Sequence, residues 1–370
     1  MMSRFIQLHL LTAYPPANLN RDDMGSPKTA KMGGYERLRV SSQCLKRSWR
    51  TSDAFQAAMA GHIGKRTKEM GLKVYEILRK KDVTHKDAIA WSKSIAGVFG
   101  KLKELSKKEK DGLKDLDKKD REKKELVELE IEQLAFFDTG EEQGIIDLAN
   151  TIVKRTEGPT DQELELLRDR MQAVDIALFG RMLASKPSYS IEAACQVAHS
   201  ISVHPVVIED DYFTAVDDLN NGLEDMGAAH IGETRFAAGL FYSYVCINRD
   251  LLIENLGGDK ALAAKAIRAL VEAAVKVAPE GKQNSFASRA YASYVLSEKG
   301  DQQPRSLSVA YLKPINHREN ENFISDSIKA LVEQKDCFDS VYGKCADGRY
   351  EINVPKKEGT LADLLDFVSQ

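Results

Sequence analysis

The residues best suited to chemistry lie between positions 18 and 50, in the run NLNRDDMGSPKTAKMGGYERLRVSSQCLKRSWR. It carries Arg21, Lys28, Lys31, Arg37, Arg39, Lys46, Arg47 and Arg50 against Asp22, Asp23 and Glu36, and no acid falls between Arg37 and Arg50. Lys46 and Arg50 are i, i+4 and would share one helix face. Leu45 and Trp49 would share another, the face that packs. Ser41 and Ser42 stand where a helix would begin, and a helix start presents free N–H groups and the positive end of the dipole. Such an end followed by two cations one turn apart suits phosphate. Gly33-Gly34 would let the backbone approach a ligand closely. A solvated basic helix behind a flexible loop explains the same pattern, and the residues alone weigh the two readings equally.

Other candidates are weaker. Asp22 and Asp23 are a carboxylate pair of the kind that binds Mg²⁺ or acts as a general base. With Arg21 ahead of them and no third carboxylate at a supporting spacing, they read better as a salt-bridged turn. Tyr212 and Phe213 sit in a stretch rich in turn residues and could stack on bases, but Glu209, Asp210 and Asp211 beside them count against a basic groove. Their alternative role is to plug a hairpin into the core. Met182, in GRMLAS, reads as a core residue rather than a wedge between bases. The seven His are dispersed, with no Cys/His cluster at metal-ligand spacing, so no metal and no cofactor is expected. Glycine-rich phosphate loops, zincin helices and nucleophile elbows are all absent.

The elements that must position these residues follow from length and periodicity. At roughly 150 residues per domain, 370 residues imply two domains or one with a large insertion. A net charge of -3 excludes a protein basic over its whole surface, so any nucleic-acid contact must be a local stripe. Five scattered Cys without CxxC favour a reducing, cytoplasmic setting. No run approaches the ~18 apolar residues of a membrane span, and no signal peptide is evident. Residues 4–11 alternate as a strand, 12–40 read as a long irregular loop, and a helix is expected from Ser41 to about Met59. From about 60 to 180 the spacing is helical, over 63–80, 86–105, 121–137, 143–156 and 160–179. Within it, 101–125 carries eleven Lys/Arg and eight Asp/Glu, a solvated helix face or a mobile loop. Strand-like segments follow at 189–204, 235–252, 291–297, 306–312 and 349–354, with helices at 261–278, 321–334 and 360–368. This order is α+β, and a β-α-β-β-α-β ferredoxin-like core interrupted by helices fits it.

The 18–50 run resembles the N-terminal signature of the backbone subunit of the type I-E CRISPR Cascade surveillance complex. DIALFGRM (175–182), QVAHSISVH (196–204), DYFTAVDDL (211–219), GAAHIGETRFAAGLFYSYVCIN (227–248) and KQNSFA (282–287) match the same family in the same order, from residue 3 to about 290. The resemblance implies a hand-shaped molecule. An RRM-like (ferredoxin-like) palm would comprise residues 1–58, 181–204 and 233–370. A helical fingers insertion would span 59–180, and a β-hairpin thumb 205–232. It further implies a non-catalytic subunit whose copies polymerise along the guide RNA (crRNA) with other Cascade subunits. Phosphates are gripped, the strand is kinked at intervals, and bases stay free to pair with a target DNA strand. The family's phosphate-binding positions fall on Arg21, Ser41, Gln43, Lys46 and Arg50. Its kink-stabilising methionine falls on Met182, and its thumb residues on Tyr212, Phe213, Thr214 and Val216. Cys44 occupies a place expected to be Ser or another small polar residue, and the Lys-rich 101–125 looks like an enlargement of the fingers. The alternative is a metal-dependent ribonuclease acting on target RNA through Asp22 or Asp23. A plain helical assembly protein is the third reading.

Overall fold

The computed structural model describes residues 3–112, 116–167, 171–183, 186–215, 230–316 and 322–370. The strands are β1 Phe5–Ala17, β2 Thr29–Met32, β3 Tyr35–Val40, β4 Lys65–Thr67, β5 Ala135–Phe137, β6 Cys195–Val197, β7 Ser200–Ser202, β8 Glu209–Ala215, β9 His230–Asn248, β10 Ala292–Gly300 and β11 Gly348–Asn353. The helices are α1 Ser42–Thr51, α2 Asp53–Ala58, α3 Met70–Arg79, α4 His85–Gly97, α5 Lys107–Gly112, α6 Lys118–Glu125, α7 Thr139–Arg155, α8 Val174–Phe179, α9 Arg249–Asn255, α10 Lys260–Lys276, α11 Gln283–Phe286, α12 Phe323–Tyr342 and α13 Leu361–Ser369. The chain divides into two units, one of residues 1–58, 195–249 and 264–370, the other of residues 59–194 and 250–263.

The first unit is built on an antiparallel sheet of order β11-β10-β1-β9-β7-β3-β2, with β6 and β8 also pairing with β9. Its middle, β10-β1-β9-β7, joined through α1 and α10, has the order and connectivity of a ferredoxin-like α+β core. β1 lies between β10 and β9 and is buried on both faces. Ile6, Leu8 and Leu10 point one way, Gln7, His9 and Leu11 the other. On the second face Leu11, Tyr242, Leu296, Tyr311 and Leu331 form a core. Beside it His9 Nε2 lies 3.2 Å from Glu298, which also receives Arg305 and Arg349 (Nε to Oε1, 2.8 Å). Burial alone would raise the Glu298 carboxyl, but the bonds from His9 and Arg305 hold it well below the usual carboxylate range. Burial, against the pull of Glu298, holds the His9 imidazole below its ordinary value.

The second unit contains α3–α8 and the two-stranded β4-β5 pair. Val74, Leu78, Ile95, Phe137, Ile145 and Ile152 meet in its core. α7 opens on a capping box, Asp138 with Glu141.

Several sequence expectations change. The irregular loop foreseen over 12–40 is largely strand: β1 runs on to Ala17, and β2 and β3 form a hairpin. The turn is Gly33-Gly34, both at positive φ (60° and 84°), as a two-residue hairpin turn requires. A Cβ at Gly33 would stand 1.8 Å from the Leu312 carbonyl, so glycine serves packing here as well as the turn. The helix expected over 121–137 stops early and gives way to β5, whose Phe137 packs against Phe99 (centroids 4.6 Å apart). The strand expected over 306–312 is a 3₁₀ turn, Ser308–Tyr311, because Tyr311 is drawn into the core beneath the sheet.

Candidate nucleic-acid interface

α1 starts where the sequence places it, but the single helix expected to about Met59 is broken at Ser52 into α1 and α2. Ser41 is its N-cap, its hydroxyl accepting from Cys44 N (3.3 Å), and Leu45 and Trp49 are buried while Lys46 and Arg50 stay partly exposed on another face. The helix ends at Ser52, whose hydroxyl bonds Trp49 O, and α2 restarts from there. Gln43 is exposed on the first turn, and Arg47 is exposed between the two flanks.

The loop that carries Arg21 is held beside this helix start. Asn20 Oδ1 accepts from Ser41 N at 2.9 Å, and Lys28 N donates to Asn20 O at 2.8 Å. Inside the loop Asp22 N donates to Ser26 O, and Asp22 Oδ1 accepts from Met24 N (3.0 Å) and Ser26 N (2.9 Å). One oxygen of Asp22 is thus spent on two backbone amides, the work of a turn residue. Arg21 and Asp23 are exposed. A cleft of about 590 Å³ lies between this loop, Cys44, Arg47 and Ser48 of α1, and Glu280 to Lys282.

Charges of both signs meet here: Arg21, Arg47 and Lys282 line the cleft together with Asp22, Asp23 and Glu280. Arg39 Nη1 lies 3.2 Å from His199 Nδ1; burial, then Arg39 and Lys28, hold the His199 imidazole below its usual value. Burial, helped by Glu280, raises the Cys44 thiol, while the bond with Ser48 and the charges of Lys28 and Arg47 act to lower it. Lys28, Arg39 and Arg47 thus join Arg21 and Lys46 near α1, whose last turn carries Arg50. The sequence signal for the added three was their place in the basic run. Arg37 leaves the run. It is fully buried, donating to Ser202 O (3.0 Å) and Tyr311 O (2.9 Å), and it anchors β3.

Tyr212, Phe213 and Thr214 lie on β8, which among the described residues pairs with the outer end of β9, from Glu209↔Phe236 to Ala215↔His230. Strand alternation separates the two aromatics. Tyr212, 66% exposed, shares a face with Thr214, while Phe213 lies across Gly232 on the other face, where a Cβ would meet its ring at 2.4 Å. Val216 lies outside the described residues.

Met182 belongs to the second unit and is not a core residue: it is 81% exposed. The neighbouring buried Arg181 explains this. Its guanidinium bonds Glu141 Oε2 (2.6 Å), Phe136 O and Tyr189 O, and its backbone bridges to Ile191. Leu183 is buried, so the chain is clamped on both sides and Met182 is turned outward. It borders a cleft with Phe99, Leu134 and Leu183.

Among the described residues, no group of three or more His, Cys, Asp or Glu could hold a metal ion. Among the same residues, no helix is long and apolar enough to cross a membrane. The geometry offers phosphate binding at α1 and its loop, and exposed apolar side chains at the ribbon and at Met182.

Residues 6–364 match the CT1975-like protein family, Cas_CT1975, and the chain belongs to that family. No curated protein matches it. Among solved structures it is similar to a chain of a "CRISPR RNA-guided surveillance complex, pre-nicking", with 26% identity, a TM-score of 0.82 and 99% of each chain covered. It shares its fold with a chain of another "CRISPR RNA-guided surveillance complex", with 22% identity, a TM-score of 0.70 and again 99% of each chain covered.

Proposed function

We propose that this chain is the guide-RNA-binding backbone subunit of a type I-E CRISPR interference complex, and that it is not itself an enzyme. Copies would polymerise along the spacer of the crRNA in the cytoplasm, together with the other Cascade subunits. Arg21, Ser41, Gln43, Lys46 and Arg50 would grip phosphates without reading sequence. Tyr212, Phe213, Thr214 and Val216 of the hairpin, with Met182, would kink the strand so that the bases between kinks pair with target DNA.

The observation that carries the reading is the bond from Ser41 N to Asn20 Oδ1. It holds the Arg21 loop against the start of α1 across 21 positions, so that Arg21 and Arg47 of α1 line one cleft with Lys282. Similarity over 99% of the chain to a subunit of an RNA-guided surveillance complex supports it. The ribonuclease alternative loses support from Asp22, whose carboxylate is engaged in its own turn.

The test is co-expression with the CRISPR array and partner subunits, followed by sequencing of the nucleic acid that copurifies. A discrete guide RNA, shielded from nuclease at regular intervals, is expected. Protein free of RNA from such cells would overturn the reading. Mg²⁺-dependent cleavage of target RNA that Asp22→Ala or Asp23→Ala abolishes would replace it with the ribonuclease.

A further inference from the structure

β9 loses β1 as a partner at its outer end, where β8, next after β7 in the chain, pairs with it. Ala237 pairs with Ala17 of β1, and Phe236 pairs with Glu209 of β8. Beyond that point β8 and β9 pair with each other, with no third strand among the described residues, and a two-stranded ribbon by itself is only marginally stable. Among the described residues, the side chains of Asn18, Lys282 and Arg235 tie this base down, beside the ring contact of Phe236 with Phe286. Asn18, fully buried, donates through Nδ2 to Gly25 O (2.9 Å) and to Arg235 O (2.8 Å). Lys282 donates to Thr234 Oγ1. Arg235 itself bonds Asp210 Oδ1 on β8 through Nε (2.8 Å) and Ser26 Oγ in the Arg21 loop through Nη1 (3.1 Å). Its Nη2 lies 3.5 Å from Glu233.

We propose that Arg235 is a positioning residue that fixes the direction of the ribbon relative to the Arg21 loop, keeping the ribbon's contacts and the loop's phosphate contacts in one register. The consequence rests on the RNA-binding reading; the tether does not. A guanidinium suits the task because its planar fork serves acceptors on separate segments at once, where an ammonium acts as a single point charge. Arg235 is 46% exposed and its carboxylate partners more so, hence the ion pairs add little stability and the variants fold. What they supply is direction.

Arg235→Gln removes the fork, and Ser26→Ala removes only its attachment to the loop. In the RNA-free protein, amide hydrogen exchange over residues 20–28 should rise several-fold in Arg235→Gln and rise in Ser26→Ala. In the RNA-loaded complex, RNA retained per subunit should stay within about twofold, as loss of an exposed ion pair allows. The contrast in nuclease protection between kinked and intervening nucleotides should fall several-fold. Unchanged exchange in both variants would overturn the tether, whether or not RNA binds. Unchanged contrast, or loss of RNA in proportion to loss of contrast, would overturn the positioning role, the latter by making Arg235 a direct phosphate contact. RNA-free wild-type complex would remove the RNA-binding reading, while the exchange measurement still decides the tether.

Discussion

Lys46→Ala combined with Arg50→Ala is the sharpest test of the phosphate interface. The two side chains sit one turn apart on α1, partly exposed, while Leu45 and Trp49 on the packed face remain. Alanine favours the helix, so the variant should unfold within a few degrees of the parent. Each phosphate neutralised on a single strand adds about 0.7 to the slope of log affinity against log salt, so two contacts add about 1.4 per subunit. Between 50 and 200 mM salt the parent should therefore lose about sevenfold more affinity than the variant. The assay is fluorescence anisotropy with two RNAs of equal length and unrelated sequence across that salt range. The deficit of the variant should be largest at low salt and equal for both RNAs, because phosphate contacts carry no sequence information. Parallel salt slopes, or a loss confined to one sequence, would refute the assignment of these cations to phosphate.

Other outcomes follow from the fold. Gly33→Ala should cost roughly 3 kcal/mol or more, since it adds a Cβ at 1.8 Å from the Leu312 carbonyl to a positive φ. Gly34→Ala, with nothing near its Cβ, should cost only the strain of roughly 1 kcal/mol, and denaturant melts of the pair would show the difference. Glu298→Gln should destabilise by about 3 kcal/mol, because it leaves Arg305 and Arg349 facing a neutral amide. The His9 imidazole and Glu298 carboxyl are both held below their unfolded values. Their stabilisation is therefore fully present above about pH 6.5 and is lost as pH falls through the folded values, first as His9 protonates in the unfolded chain. Urea melts at pH 7.5, 6 and 4.5 should fall in that order, and a flat series would refute the network. Phe213→Ala should loosen the ribbon, raising amide exchange at 230–236, whereas Tyr212→Ala, on the open face, should leave it unchanged.

Much of the fold was legible because it follows from local periodicity. α1 appeared from Ser41 and the Leu45/Trp49 spacing, α10 from its alanine-rich amphipathic run, and β1 from its alternation. The α+β order followed from the succession of elements. The missed β2-β3 hairpin had its signal in Gly33-Gly34, but its strands hold Lys31, Glu36, Arg37 and Arg39, which hide the apolar alternation. Residues 121–137 misled because the charged helical pattern runs directly into Phe136 and Phe137, and only packing against Phe99 turns that end into a strand.

The sequence by itself determined which side chains share a face: Lys46 with Arg50, Leu45 with Trp49, Ile6 with Leu8 and Leu10. It also concentrated the cations in one run. Tertiary structure alone decided which faces are covered. Arg37 is buried because Tyr311, far along the chain, supplies the carbonyl that receives it. Met182 is exposed because the buried Arg181–Glu141 pair clamps the chain beside it. Arg21 reaches the start of α1 because Asn20 bonds Ser41 across 21 positions. Periodicity is a property of neighbours along one element, whereas burial depends on what other segments place against it, and those partners lie tens to hundreds of residues away.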